Sequence, residues 1–140
     1  MEYSAEDWLA LPPIATSKDA ALRFRETVPV DSRRQEQFMI MLLDAKNRVL
    51  GIDVPSKGGV DSAVLDMRLV FQAAILVAAS AIILGHNHPS GEPTPSPEDI
   101  AMTQRIVQAG NTLSVRVLDH IVLGQASYAS FADFGLMPRG

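Results

Sequence analysis

Ala81-Ile82-Ile83-Leu84-Gly85-His86-Asn87-His88-Pro89-Ser90-Gly91 is an apolar run that ends in two histidines one residue apart and then in a turn of Pro, Ser and Gly. An unbroken run of aliphatic residues reads as a strand covered on both faces. This one delivers two imidazoles into a polar loop. Ser96-Pro97-Glu98-Asp99 follows and has the marks of a helix start. Serine suits the N-cap, proline the first helical position, and acids the first turn. A buried strand, a polar loop and a helix start are the joint of an α/β fold, and they bring two imidazoles near a carboxylate.

Working outward from that joint, Ile100, Met102, Ile106 and Val107 give the helix an apolar face, and Gly110-Asn111 is where it is expected to stop. Residues 113–118 and 121–123 read as short strands, one segment bent or continued through Asp119-His120. Residues 128–134 form a last turn or short helix. Upstream, a helix is expected from about residue 65 to residue 79, with alanines that suit close packing on a sheet. Residues 38–43 are a nearly continuous apolar strand, Asp44-Ala45-Lys46-Asn47 a turn, and residues 48–54 a second strand, together a hairpin. Lys57-Gly58-Gly59 is a loop. Ser17 is a candidate N-cap for a helix over 18–27 that packs through Leu22 and Phe24. Residues 1–13 read as weakly structured, with Trp8, Leu9 and Leu11 packing on the body and Pro12-Pro13 as a breaker. The order implies an α/β sandwich around a mixed sheet.

The 140 residues suit one domain with a core of its own. With 47% hydrophobic and 20% charged residues the composition is globular. There is no cysteine, which removes disulfides and every thiolate metal site. The net charge of −4 gives no global field that favours nucleic acid, although a local basic patch stays open. The start lacks the layout of a signal peptide. The apolar run 69–85 falls short of the roughly 20 residues of a membrane span, and Gln72 and Ser80 interrupt it. It reads as a buried helix running into a buried strand, and the expected compartment is the cytoplasm.

His86 and His88 alternate along an extended segment, so both rings can face one ion. Asp99 lies eleven residues beyond His88, within reach if the loop folds back. Three such ligands leave a position for water, the layout of a hydrolytic zinc site rather than a structural one. The plainer alternative is equally consistent with these residues: a polar loop, with Ser96 and Asp99 serving only the helix start. A base is also needed. Glu36, which opens the strand 38–43, is one candidate, and Glu92 and Glu98 are rivals nearer in sequence.

The combination is more specific than its parts. Glu36, His86-x-His88-Pro89 and Ser96-x-x-Asp99, with six residues between Pro89 and Ser96, resemble the JAMM (MPN+) metalloprotease signature. The wording His-Asn-His-Pro-Ser-Gly, then Pro-Ser-Pro-Glu-Asp, is similar to the bacterial RadC family and its JAB-type domain. The likeness continues through Glu36-Gln37-Phe38, Leu43-Asp44, Asn47-Arg48-Val49, Arg68-Leu69-Val70-Phe71, Ala78 to Leu84 and Asp119-His120-Ile121-Val122. The resemblance implies a cytidine-deaminase-like (JAB/MPN) α/β sandwich, a mixed β-sheet flanked by helices. The domain would occupy residues 30–140, after an N-terminal extension over 1–29 with a short helix. It implies one Zn2+ per chain on His86, His88 and Asp99. Glu36 would then take a proton from the attacking water and pass it to the leaving amine, and Ser96 would donate to the oxyanion. Full-length RadC proteins carry a helix-hairpin-helix-like region, and the residues before Glu36 show no such pattern.

The leading expectation is a zinc hydrolase of peptide or isopeptide bonds, with a peptide or protein substrate and no membrane partner. A DNA-binding or DNA-processing protein of repair or mobile elements is the alternative, which the acidic balance does not favour. A deaminase is disfavoured, since it requires His-x-Glu and a Pro-Cys-x-x-Cys pair. Asp119-His120 has two readings, a group behind the metal or a polar kink between strands, with the kink preferred. Arg68 has two as well, a substrate-binding group or a helix-surface ion pair.

Overall fold

Gln37–Leu43 (β1) is buried at every position, because helices cover both faces of the sheet it crosses. The computed structural model describes residues 4–27, 36–57 and 65–138. Around β1 stand helices Ala5–Ala10 (α1) and Ser17–Thr27 (α2), strand Val49–Lys57 (β2), helix Met67–Leu76 (α3), strand Ala81–Asn87 (β3), helix Pro97–Leu113 (α4) and strands Arg116–Leu123 (β4) and Tyr128–Ser130 (β5). Among the described residues the strands form one mixed sheet in the order β2-β1-β3-β4-β5. β3 and β4 run parallel across the α4 crossover, and the other neighbours are antiparallel. This is the expected sandwich.

Alternation along the strands divides the core. Met39, Met41, Leu43 and Ile83 face Trp8, Ala20, Ala21 and Phe24 from α1 and α2. Phe38, Ile40, Leu42, Ile82 and Leu84 face Val70, Phe71 and Ala74 of α3 and Met102 and Ile106 of α4. Gly85 is required where β3 passes under α2. A Cβ there would stand 2.8 Å from the ring of Phe24.

Several expectations change. The N-terminal stretch is not weakly structured throughout: Ser4 and Asp7 form a capping box on α1, and Trp8 is buried while Leu9 is exposed. Thr16, not Ser17, caps α2, exchanging bonds with Asp19, and the Ser17 hydroxyl instead reaches Tyr128 and Asp133. Leu22 points to solvent. α3 is shorter than 65–79 and only half buried, since Ile75, Leu76 and Val77 are exposed. α4 does not stop at Gly110 but runs through it to Leu113, and left-handed Ser114 (φ 61°) ends it. The glycine serves close packing instead, since a Cβ would lie 2.5 Å from the carbonyl oxygen of Val115. β4 is the one segment expected to continue through Asp119-His120, with its irregularity at Leu118. Residues 128–130 are an edge strand rather than a helix, followed by turns. β2 extends to Lys57, and Gly58 and Gly59 of the expected loop lie outside the described residues.

Candidate metal centre

Three elements end at one place. β3 brings His86 as its next-to-last residue, with His88 just beyond. β1 runs antiparallel, pairing Phe38 with His86, so Glu36 arrives beside the same imidazole. The first turn of α4 supplies Asp99. Each approach has a local cause. The Asn87 side-chain oxygen accepts from the Gln37 N–H (2.8 Å) and ties the start of β1 to the end of β3. The His88 N–H donates to the Leu123 carbonyl (2.9 Å), and left-handed Gly91 (φ 88°) turns the chain back, its N–H donating to the His88 carbonyl. At the helix start Ser96 Oγ accepts from the Asp99 N–H (3.1 Å), while Asp99 Oδ2 accepts from the Ser96 N–H (2.8 Å). That capping box fixes the Asp99 carboxylate as well as the helix.

The side chains converge closely. His86 Nε2 lies 3.0 Å from His88 Nε2, 3.1 Å from Asp99 Oδ1 and 3.9 Å from Glu36 Oε1. His88 Nε2 lies 3.0 Å from Asp99 Oδ2. One donor atom from each of Glu36, His86, His88 and Asp99 falls within 4.8 Å of the others. Side-chain exposure rises from 0% at His86 through 9% at Asp99 and 16% at His88 to 29% at Glu36. The cluster is thus closed at the sheet and open toward Glu36.

His88 Nδ1–H donates to the Glu92 carbonyl oxygen (2.8 Å), since a carbonyl only accepts. Its Nε2 then turns a lone pair toward His86 and Asp99. Lone pairs and carboxylate oxygens at 3.0 Å repel unless something positive lies among them. Two imidazole nitrogens and a carboxylate with no thiolate suit zinc and other first-row divalent ions, so the residues present fit a metal. Burial pulls the Asp99 carboxyl upward, but the neighbouring His86 and the capping contacts of Ser96 outweigh it and hold it well below the usual range.

His120 corrects the preference for a structural kink. It is fully buried on β4, its Nε2 2.7 Å from His86 Nδ1 and its Nδ1 2.6 Å from Thr103 Oγ1. Burial first, then the neighbouring His86, pushes its pKa well below the ordinary histidine value. Asp119 faces the other way and keeps a structural part, accepting from Ser130 Oγ (2.6 Å), the Ala132 N–H and the His120 N–H. Arg68 pairs with Asp66 at 2.9 Å on an exposed face, the ion-pair reading. Glu92 and Glu98 point to solvent and are outside the cluster, so the rivals to Glu36 fall away on geometry. Thr103 and Asn87 escaped the sequence reading. Thr103 was within reach, since it stands four residues after Asp99 on one helix face. Asn87 was not, because its bond to β1 depends on strand pairing.

A family model described as the RadC-like JAB domain matches residues 14–136. A UPF0758 protein of Symbiobacterium thermophilum is 49% identical over 102 residues, 73% of this chain and 44% of the relative. One of Geotalea uraniireducens is 48% identical over 104 residues, 74% of this chain and 46% of the relative. One of Methanosarcina acetivorans is 39% identical over 105 residues, 75% of this chain and 46% of the relative. The chain therefore spans somewhat under half the length of these curated relatives.

Proposed function

The chain belongs to the family of RadC-like JAB domains, and from that premise we propose that it is a zinc-dependent hydrolase cleaving a peptide or isopeptide bond. The observation that carries the reading is the convergence of two imidazole nitrogens and a carboxylate at about 3 Å, with a second carboxylate on the open side.

His86, His88 and Asp99 would hold the ion. When bound, it supplies a Lewis acid that polarises the scissile carbonyl and makes water acidic enough to attack near neutral pH. Glu36 is the base in this reading. Its carboxylate is the most exposed of the four and approaches His86 Nε2 at 3.9 Å. It accepts the proton of the attacking water and returns it to the leaving amine. Ser96 Oγ accepts from the Asp99 N–H through one lone pair, a contact that does not use its hydrogen, which would donate to the developing oxyanion. The acidic balance of the chain gives a DNA-processing role no support.

Elemental analysis of the purified chain beside a His88→Ala variant is the first test, followed by cleavage assays on peptide libraries and isopeptide-linked conjugates. The expected result is about one zinc per chain, lost in the variant, with hydrolysis that a chelator stops and zinc restores. A wild-type chain that takes up no zinc when supplied with it would sink the proposal.

A further inference from the structure

Thr103 and His120 form a wholly buried pair behind the metal centre, and the number of hydrogens available decides how they are used. The Thr103 hydroxyl donates to the Asp99 carbonyl oxygen, one helical turn back, at 2.8 Å. A hydroxyl has a single hydrogen. At its second contact, 2.6 Å from His120 Nδ1, Thr103 must therefore accept, and His120 Nδ1 must carry the hydrogen. The His120 ring is packed face to face with Phe131 (centroids 4.6 Å apart, 22° between planes) and edge-on to Phe38. Among the described residues no charged group lies against this fully buried ring on its aromatic sides, so charging it there is costly, and with its one hydrogen on Nδ1 its Nε2 is bare. That bare nitrogen lies 2.7 Å from His86 Nδ1, which donates to it. His86 Nε2 is left with its lone pair directed at His88 and Asp99.

We propose that His120, polarised by Thr103, is a positioning residue that locks His86 in the Nδ1–H form, so that its Nε2 is always free to bind the metal. The consequence for the metal rests on the reading above; the hydrogen-bond geometry does not. α4 thus serves the centre twice, through the carboxylate of Asp99 and, by way of the Asp99 carbonyl and Thr103, through the tautomer of an imidazole on β3. His88 is set independently by the Glu92 carbonyl.

The test uses the full chain with 15N-labelled histidine, together with His120→Phe, His120→Gln and Thr103→Val variants. His120→Phe keeps a flat ring against Phe131 and loses the acceptor, and His120→Gln keeps an acceptor. Zinc affinity is measured by competition with a chromophoric chelator, and thermal unfolding of each metal-free variant reports whether it is folded. The expected 15N pattern in the wild type is hydrogen on Nδ1 of both His120 and His86, with His120 Nε2 bare. The expected loss of zinc affinity in His120→Phe and Thr103→Val is about 10–100-fold, the usual cost of removing a group that orients a ligand, and His120→Gln recovers most of it. Hydrogen on Nε2 of His120 overturns the proposal, as does a folded His120→Phe chain that binds zinc as tightly as the wild type. If the wild type binds no zinc, the metal reading falls while the 15N pattern still decides the tautomer. If a variant does not fold, the wild-type 15N pattern decides in the same way.

Discussion

Glu36 stands apart from the other three members of the cluster because it sits on the solvent side and meets His86 at 3.9 Å rather than about 3 Å. That distance suits a base better than a ligand. Glu36→Gln keeps the shape and removes the proton acceptor, so turnover should fall about 10²–10⁴-fold with zinc content unchanged. Steady-state kinetics beside elemental analysis check this, and a joint loss of zinc and turnover would make Glu36 a ligand instead. Ser96 carries two tasks. Ser96→Ala removes the N-cap acceptor, a cost of about 1 kcal/mol read by denaturant unfolding. It should also lower kcat about 10²–10³-fold if the hydroxyl stabilises the oxyanion. At this scale the sequence was legible wherever spacing alone fixes neighbours: His86 and His88 by strand alternation, Ser96 and Asp99 as the cap and first turn of one helix. His120 was ambiguous because nothing local says which face of β4 it takes or what lies opposite.

The identities of the long helices and central strands followed from composition, but their ends did not, nor did the short elements α1 and β5. Gly110 is the clearest case. As a glycine near the end of an apolar pattern it reads as a terminator, yet it lies inside α4 because the Val115 carbonyl crosses it. Gly85 similarly admits the ring of Phe24 under α2. The two sites separate on substitution. Gly110→Ala would gain about 1 kcal/mol of helix propensity but forces a Cβ to 2.5 Å from backbone oxygen, so a net loss of stability is expected. Gly85→Ala presses on a buried ring and should cost about 1–3 kcal/mol. Thermal unfolding of both tests this, and a Gly110→Ala chain more stable than wild type would contradict the packing argument. Ser17 has the chemistry of a cap but is not one: Thr16 and Asp19 form the reciprocal bonds one residue earlier, which frees Ser17 to join α2 to β5 through Tyr128.

For the whole molecule, a cluster that could hold a metal ion would tie stability to metal and to pH. An ion that binds only the folded chain stabilises it by about 2.7 kcal/mol at a hundredfold excess over Kd. Zinc should therefore raise Tm, a chelator should reverse the rise, and His88→Ala should abolish it. Without metal, acid should destabilise the chain in two steps. His120 has a depressed folded pKa, so its contribution is complete above its ordinary value near 6.5 and falls as pH drops below it. Asp99 is also depressed, so its contribution is complete above about 4 and falls below that. Asp119, raised by burial, acts in the opposite sense, its penalty easing as pH falls. Denaturant midpoints measured across pH 3–8 on the metal-free chain should decline toward acid from about pH 6.5; midpoints that hold level between about pH 8 and 5 would show that His120 titrates alike in the folded and unfolded chain. Among the described residues no helix is long and apolar enough to cross a membrane. By itself the sequence determined the α/β class and the β3–loop–α4 joint, because hydrophobic period, cap chemistry and short spacings act within a few residues; the family resemblance added which side chains converge. Only the tertiary structure decided that Glu36 meets His86, that Asn87 ties β1 to β3, and that Thr103 and His120 stand behind the centre. Those contacts join residues 17 to 50 positions apart, and strand order and helix packing bring them together.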